Sequence, residues 1–151
     1  MFDLWYFDYM KINIKKLKKE ASALGIQMII LFGSQATGKA RVDSDYDVAV
    51  LMAPEKNIGE NMDDYTKILF FLTEALHIPD QKLDLTNLNN ASPFLQKEIF
   101  ANCKLIFGDA YKFASFKSFA LREYIATSGL RDLRSKIIVK RQEILAEKIY
   151  G

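Results

Sequence analysis

The chain has 151 residues, of which 50% are hydrophobic and 13% aromatic, so one domain with a buried core is expected and general disorder is excluded. Its 21 basic and 19 acidic residues give a formal net charge of +2, too balanced for bulk charge to indicate nucleic-acid or membrane binding. A single cysteine, Cys103, excludes an internal disulfide framework and a zinc site built from several thiolates.

Targeting signals and membrane spans are not evident in the sequence. Its longest apolar runs are far shorter than the roughly 20 residues that cross a bilayer. The N-terminal stretch MFDLWYFDYM contains two aspartates and no basic residue, unlike the start of a secretory signal peptide. We therefore expect a soluble protein of the cytoplasm.

Hydrophobic periodicity and turn residues predict alternating helices and strands in the first half of the chain. The apolar spacing over Lys11–Leu24 is typical of a helix that stops at Gly25. Apolar runs at Ile26–Phe32 and Tyr46–Met52 predict two strands, joined by a small polar loop or short helical turn. A second long helix is predicted over Ile58–Leu76.

The second half continues the alternation and ends in a long helical segment. Its predicted elements are a strand at Lys82–Leu88, a helix from Ser92 to about Asn102, a strand at Lys104–Phe107 and helical structure over 110–148. Ser92 and Pro93 are typical of a helix start, and an interruption is expected near Thr127–Gly129. This order predicts an α/β (α+β) fold, a mixed sheet with packed helices.

Charge is distributed unevenly along the chain. Residues 21–110 contain 7 basic and 12 acidic residues, a pattern that a metal site would produce but that scattered surface charge also explains. Residues 111–151 contain 9 basic and 4 acidic residues. This basic segment fits either contact with an acidic partner or an ordinary amphipathic helix.

The stretch from Gly33 to Asp47 carries the most specific chemical pattern. Gly33 and Ser34 end a buried strand, where a glycine lets a ligand approach and where N–H groups and a hydroxyl can donate to phosphate. Asp45 and Asp47, two apart at a strand start, place both carboxylates on one face. Such neighbours repel unless a cation lies between them, and Mg²⁺ prefers oxygen ligands. Asp84, on the next predicted strand, could complete a three-carboxylate site for two metal ions.

This pattern resembles the G-S-x10-D-x-D signature of the nucleotidyltransferase superfamily that includes DNA polymerase beta and the kanamycin nucleotidyltransferases. The short chain also resembles the minimal nucleotidyltransferases, antitoxins that are encoded beside HEPN toxins. The resemblance covers roughly residues 10–145. We accordingly divide the chain into an N-terminal aromatic extension, residues 1–9, and a minimal nucleotidyltransferase domain, residues 10–151.

The resemblance implies a Mg²⁺-dependent enzyme that transfers AMP from ATP to a hydroxyl of a separately encoded HEPN ribonuclease toxin, with tyrosine as the expected acceptor. Catalysis and the binding of two Mg²⁺ ions would fall to three aspartates: Asp45, Asp47 and Asp84. Binding of the nucleotide would fall to three residues at the loop ends: Gly33, Ser34 and Ser44. We expect no membrane partner and no direct nucleic-acid binding.

Two other functions fit the same residues. The first is adenylylation of a small molecule of the antibiotic type, although such enzymes usually carry a substantial extra domain. The second is a module that binds the toxin without catalysis, although three converging acids would then only lower stability. A HEPN nuclease site in this chain is excluded, because the positions where its arginine would precede His77 are occupied by Phe70, Phe71 and Leu72.

Overall fold

The computed structural model describes residues 13–56, 58 and 62–150, so the aromatic extension predicted at 1–9 lies outside the described residues. Its centre is a four-stranded sheet with the order β3-β2-β1-β4. The strands are β1 (Ile26–Phe32), β2 (Tyr46–Met52), β3 (Leu83–Asn87) and β4 (Cys103–Phe107). Strand β1 pairs antiparallel with β2 and β4, whereas β2 and β3 run parallel. The mixed sheet predicted from the sequence is therefore confirmed.

Six helices surround this sheet in the described part of the chain. They are α1 (Ile14–Ala23), α2 (Gly33–Thr37), α3 (Met62–Leu76), α4 (Pro93–Ala101), α5 (Ala110–Ala126) and α6 (Ser128–Tyr150). Side-chain oxygens of Asn13, Ser92 and Asp109 accept hydrogen bonds from first-turn N–H groups of α1, α4 and α5. Each such cap stabilises its helix by about 1 kcal/mol, which explains why these starts are well defined. None of the described helices is both long and apolar enough to cross a membrane.

The core has two layers because successive side chains of the central strands point to opposite faces of the sheet. Ile29 and Leu31 of β1 pack towards α1 and α3, whereas Met28 and Ile30 pack towards α4 and α5. All four side chains are fully buried, and each contributes roughly 1.5–3 kcal/mol through burial. The two central strands are thereby fixed between two helical layers.

The element boundaries differ from the predictions at a few points. Strands β1 and β2 and the break at Thr127 match, but α3 begins at Met62 rather than at Ile58. Ile58 lies in a turn, where its side chain is buried in the core, and Asp63 in the first turn of α3 favours the later start. Strand β3 is shorter than predicted because short 3-10 turns occupy residues 80–82 and 88–90.

Candidate active site

Three adjacent strands bring the predicted acidic residues to one edge of the sheet. In the β1–β2 pair, Phe32 lies opposite Asp47, and in the parallel β2–β3 pair, Asp47 lies opposite Asp84. Asp45 immediately precedes β2, and Gly33 immediately follows β1. We call Gly33, Ser34, Asp45, Asp47 and Asp84 the strand-end site. Its members are distant in sequence but meet because the antiparallel β1 ends where β2 and β3 begin.

Asp47 is the electrostatic centre of the strand-end site. Its pKa is raised above the usual 3.8, first by partial burial and then by the negative charges of Asp84 and Asp45. Both neighbours are exposed, whereas Asp47 is half-buried. The three carboxylates thus share one negative field, in which a divalent cation would relieve their repulsion.

Their oxygen chemistry fits a hard cation such as Mg²⁺, which prefers carboxylate and phosphate oxygens. Over residues 13–56, 58 and 62–150, however, no three His, Cys, Asp or Glu side chains converge closely enough to hold a metal ion. The metal-binding role of the three aspartates remains a prediction.

Gly33 allows the strand end and the acidic residues to approach closely. Its φ of +70° is strained for a side chain, and a Cβ built there would overlap the carboxylate of Asp47. Helix α2 begins at this residue and ends at Gly38, whose φ is +71°. The first N–H groups of such a turn have no partner within the helix, so they are available donors beside the carboxylate. The phosphate contact of Gly33 and Ser34 remains a prediction.

The loop between α2 and β2 is held from both sides. The Gln35 side-chain amide donates to the Ser44 carbonyl at 3.2 Å, and the Lys82 ammonium donates to the Val42 carbonyl at 3.0 Å. A turn within the loop is closed by the Ser44 hydroxyl, which accepts from the Arg41 N–H at 2.8 Å. These contacts fix the backbone that leads into Asp45.

Sequence reasoning missed Gln35 and Lys82 as positioning residues. Nothing in the motif marks either of them, because each acts on a main-chain carbonyl that becomes its neighbour only in the fold. Ser44, predicted to bind nucleotide, uses its hydroxyl to close the turn, and its nucleotide contact stays a prediction.

Two further residues with reactive side chains, His77 and Cys103, lie outside the strand-end site. His77 is exposed and follows α3 with a φ of +54°. Cys103 is partly buried against the second core layer, and this burial raises the pKa of its thiol, so it is not an activated nucleophile.

The mixed sheet, the Gly-Ser strand end and the paired aspartates define a nucleotidyltransferase fold. A family model described as Polymerase beta, Nucleotidyltransferase matches residues 13–112, a range that contains the whole strand-end site. The chain belongs to this family.

Individual relatives agree with this assignment. A protein adenylyltransferase, MntA, of Aphanizomenon flos-aquae (strain 2012/KM1/D3) is 33% identical over 85 residues, which are 54% of this chain. The match spans only 57% of that relative's length.

Solved structures resemble the chain over most of its length. A chain of a toxin–antitoxin crystal structure with AMP-PNP has a TM-score of 0.65 and 24% identity, covering 85% of this chain and 99% of that one. A chain from the complex of tri-AMPylated Shewanella oneidensis HEPN toxin with MNT antitoxin has a TM-score of 0.56 and 21% identity, covering 83% and 98%. At these identities the likeness shows the fold.

Proposed function

We propose that this chain is an antitoxin that transfers AMP from ATP to a hydroxyl, expected to be a tyrosine hydroxyl, of a HEPN ribonuclease toxin. Membership of the polymerase beta nucleotidyltransferase family supports the reaction class. The partial match to a protein adenylyltransferase supports a protein acceptor. Fold similarity to chains of toxin–antitoxin complexes supports the choice of partner.

The observation that carries the proposal is the position of Asp47. On one side, its carboxylate occupies the space that a Cβ at Gly33 would need. On the other side, it lies opposite Asp84 in the parallel β2–β3 pair. A triphosphate bound at Gly33 and Ser34 would therefore lie beside all three carboxylates. Asp45, Asp47 and Asp84 would hold Mg²⁺, which would supply positive charge against the negative charge that develops on the phosphate oxygens.

The chain's own residues would then have distinct roles in the transfer. The N–H groups at Gly33 and Ser34 would hold the terminal phosphates, and Asp45 and Asp47 would hold the Mg²⁺ needed to keep the negatively charged α-phosphate beside them. The acceptor hydroxyl oxygen would attack the α-phosphorus, forming a new P–O bond while the bond to the bridging oxygen breaks and pyrophosphate leaves. Asp84 would accept the hydroxyl proton, which balances the exchange.

The test is an incubation of the purified chain with ATP, Mg²⁺ and the HEPN protein encoded beside it, followed by intact-mass measurement of both proteins. We expect one or more AMP increments on the HEPN protein. The increments should disappear with Asp45→Asn. They should persist with the matched control Asp43→Asn, an exposed carboxylate two residues earlier in the same loop.

Each other outcome identifies a different function. A stable complex without any AMP increment would contradict catalysis and favour a module that acts by binding alone. Neither a complex nor an increment would contradict the protein acceptor and leave a small-molecule hydroxyl as the acceptor to examine.

A further inference from the structure

Helix α6 (Ser128–Tyr150) has 23 residues and is exposed along its described length, apart from a half-buried Arg131. At 1.5 Å per residue it is about 35 Å long. Its large apolar side chains remain in solvent, with exposed fractions from 44% at Ile144 to 70% at Ile149. Helices in proteins gain most of their stability by packing against other parts of a structure. The exposed surface of α6 is therefore suited to packing against a partner.

The side chains of α6 form three parallel rows on one face. With about 100° between successive residues, a seven-residue spacing returns to nearly the same side of the helix. One apolar row contains Leu130, Ile137 and Ile144, and a second contains Ile138 and Leu145, with Ile149 one turn further on at its outer side. A row of cations, Arg134, Arg141 and Lys148, lies between the two apolar rows. We call these nine residues the basic-apolar face.

The cations of this face are not neutralised within the chain. Among the described residues, neither Arg134, Arg141 nor Lys148 makes an ion pair. On the other side of the helix, by contrast, Lys136 pairs with Asp132 at 3.0 Å. Apart from Arg131 and Lys140, the cations of α6 that make no ion pair within the described chain therefore lie among the exposed apolar side chains of this face.

The start of the helix is fixed by Arg131. Its guanidinium donates to the Thr127 hydroxyl and to the Tyr124 carbonyl, each at 2.6 Å. It also stacks 3.8 Å from the centre of the Tyr124 ring, which ties α6 to the end of α5. The orientation of the basic-apolar face is therefore set before binding, which lowers the ordering cost of association.

We propose that the basic-apolar face docks onto an acidic, apolar helical surface of the acceptor protein, an inference that rests on the proposed function. The matching surface would carry carboxylates between apolar side chains, at intervals of about 10.5 Å, the rise of seven helical residues. Arginine stems can lie along apolar neighbours while their charged ends meet carboxylates. Charge complementarity thus specifies both the partner's chemistry and its register.

Two other occupants fit this face less well. A second copy of the helix would set one row of cations against another, because the row runs along the centre of the face. A membrane-surface helix keeps its cations on the polar face and buries an uninterrupted apolar face in the lipid. Here the cations divide the apolar face instead.

The test compares two charge reversals on the same helix. Arg134→Glu with Arg141→Glu alters the basic-apolar face, whereas Lys136→Glu with Lys140→Glu makes the same change in net charge on the other side. Circular dichroism checks that both variants remain helical. We expect the first pair to weaken binding of the HEPN protein encoded beside this chain by about 100-fold, and the control pair by less than about threefold. The milder Arg134→Gln with Arg141→Gln should weaken binding by about tenfold.

The remaining outcomes would overturn the inference. It fails if both reversals weaken binding equally, or if the wild-type chain forms no complex with this protein. It fails too if wild-type chain pellets with phosphatidylserine vesicles and the first pair abolishes this, or if light scattering shows a dimer that the first pair dissociates. Failure of the proposed function gives a different result. If the wild-type chain binds the HEPN protein tightly without transferring AMP, and the first pair of substitutions abolishes this binding, the docking face is supported and the catalysis is contradicted.

Discussion

The strand-end site and helix α6 are built in opposite ways. Asp47 lies in β2, where Val48 next to it and Leu31 opposite Val48 are fully buried in the core, so the packed sheet fixes its position. The basic-apolar face instead projects from a single junction at Arg131 and presents its side chains to solvent. The first arrangement suits chemistry, which needs precise placement, and the second suits recognition of a large surface.

This difference predicts that catalysis and partner binding depend on separate residues, and experiments can test that separation. Changes at the strand-end site should remove AMP transfer while partner binding persists. Changes on α6 should weaken binding while the chemistry of a bound complex persists.

The largest effect is expected from Asp47→Asn, which keeps the side chain's shape and removes its charge. We expect the rate of AMP transfer to fall by at least about 1,000-fold, because the group placed to hold Mg²⁺ and orient the α-phosphate is lost. The dissociation constant for the acceptor protein should change by less than about threefold, since Asp47 is not part of the basic-apolar face. Single-turnover mass measurement and calorimetry check the two quantities.

Asp43→Asn is the control for this prediction, because Asp43 is an exposed carboxylate of the same loop outside the strand-end site. The rate of AMP transfer and the dissociation constant of Asp43→Asn should both match those of the wild type. A loss of binding in Asp47→Asn as large as the loss of rate would show that chemistry and recognition are not separate.

A large effect on stability is expected from Gly33→Ala. The new Cβ would adopt a φ of +70° and overlap the Asp47 carboxylate, so the free energy of unfolding should fall by about 2–4 kcal/mol. Gly38→Ala is the matched control: its φ is +71°, but nothing lies near its Cβ position, so only about 1–2 kcal/mol should be lost. Urea denaturation measures both, and equal losses would refute the close contact between Gly33 and Asp47.

The strand-end site was largely predictable because its residues are the ones that strand periodicity and turn chemistry identify. Buried runs located β1 and β2 to the residue, and the Gly-Ser and Asp-x-Asp motifs predicted which end of these strands carries the candidate site. The pairing of Asp47 with Asp84 was expected only as a neighbouring-strand position, and the parallel register confirms it.

Other features depend on contacts that no local pattern encodes. Gln35 and Lys82 each donate to a carbonyl of the loop before β2, and neither residue type at that position signals such a contact. The basic-apolar face was foreseen only as a basic segment that fits an acidic partner or an ordinary helix. The exposure of this helix could not be read from the sequence, and it is the observation on which the docking proposal depends.

A moderate effect is expected from Arg131→Gln, which tests the junction between α5 and α6. Loss of the bonds to Thr127 and Tyr124 should lower the free energy of unfolding by about 1–2 kcal/mol. Lys140→Gln, an exposed position on α6, should change it by less than about 0.5 kcal/mol. If partner affinity falls with Arg131→Gln while the rate within the bound complex does not, the junction serves recognition alone. An unchanged affinity would refute a role for the fixed orientation.

The smallest effect is expected in the pH dependence of the metal-free chain. Burial and the charges of Asp84 and Asp45 raise the pKa of Asp47 in the folded state above its unfolded value near 3.8. The folded state therefore holds this proton more tightly than the unfolded state does. The contribution of this proton to the free energy of unfolding is fully present below pH 3.8 and is lost as pH rises through the folded pKa. The side-chain amide of the Asp47→Asn variant does not titrate. In EDTA, the Tm of this variant minus the Tm of the wild type should therefore increase as pH rises. We expect a gain of about 1–3 °C by neutral pH, small because the carboxyl is only partly buried and solvent screens its interactions.

Two comparisons control this last prediction. Asp43→Asn should show no such trend with pH, and saturating Mg²⁺ with ATP should raise the Tm of the wild type more than that of Asp47→Asn. A difference between Asp47→Asn and wild type that shrinks as pH rises would mean that the carboxylates of the strand-end site do not repel one another. The electrostatic argument for a cation there would then fail, because the site would have no excess negative charge for Mg²⁺ to relieve.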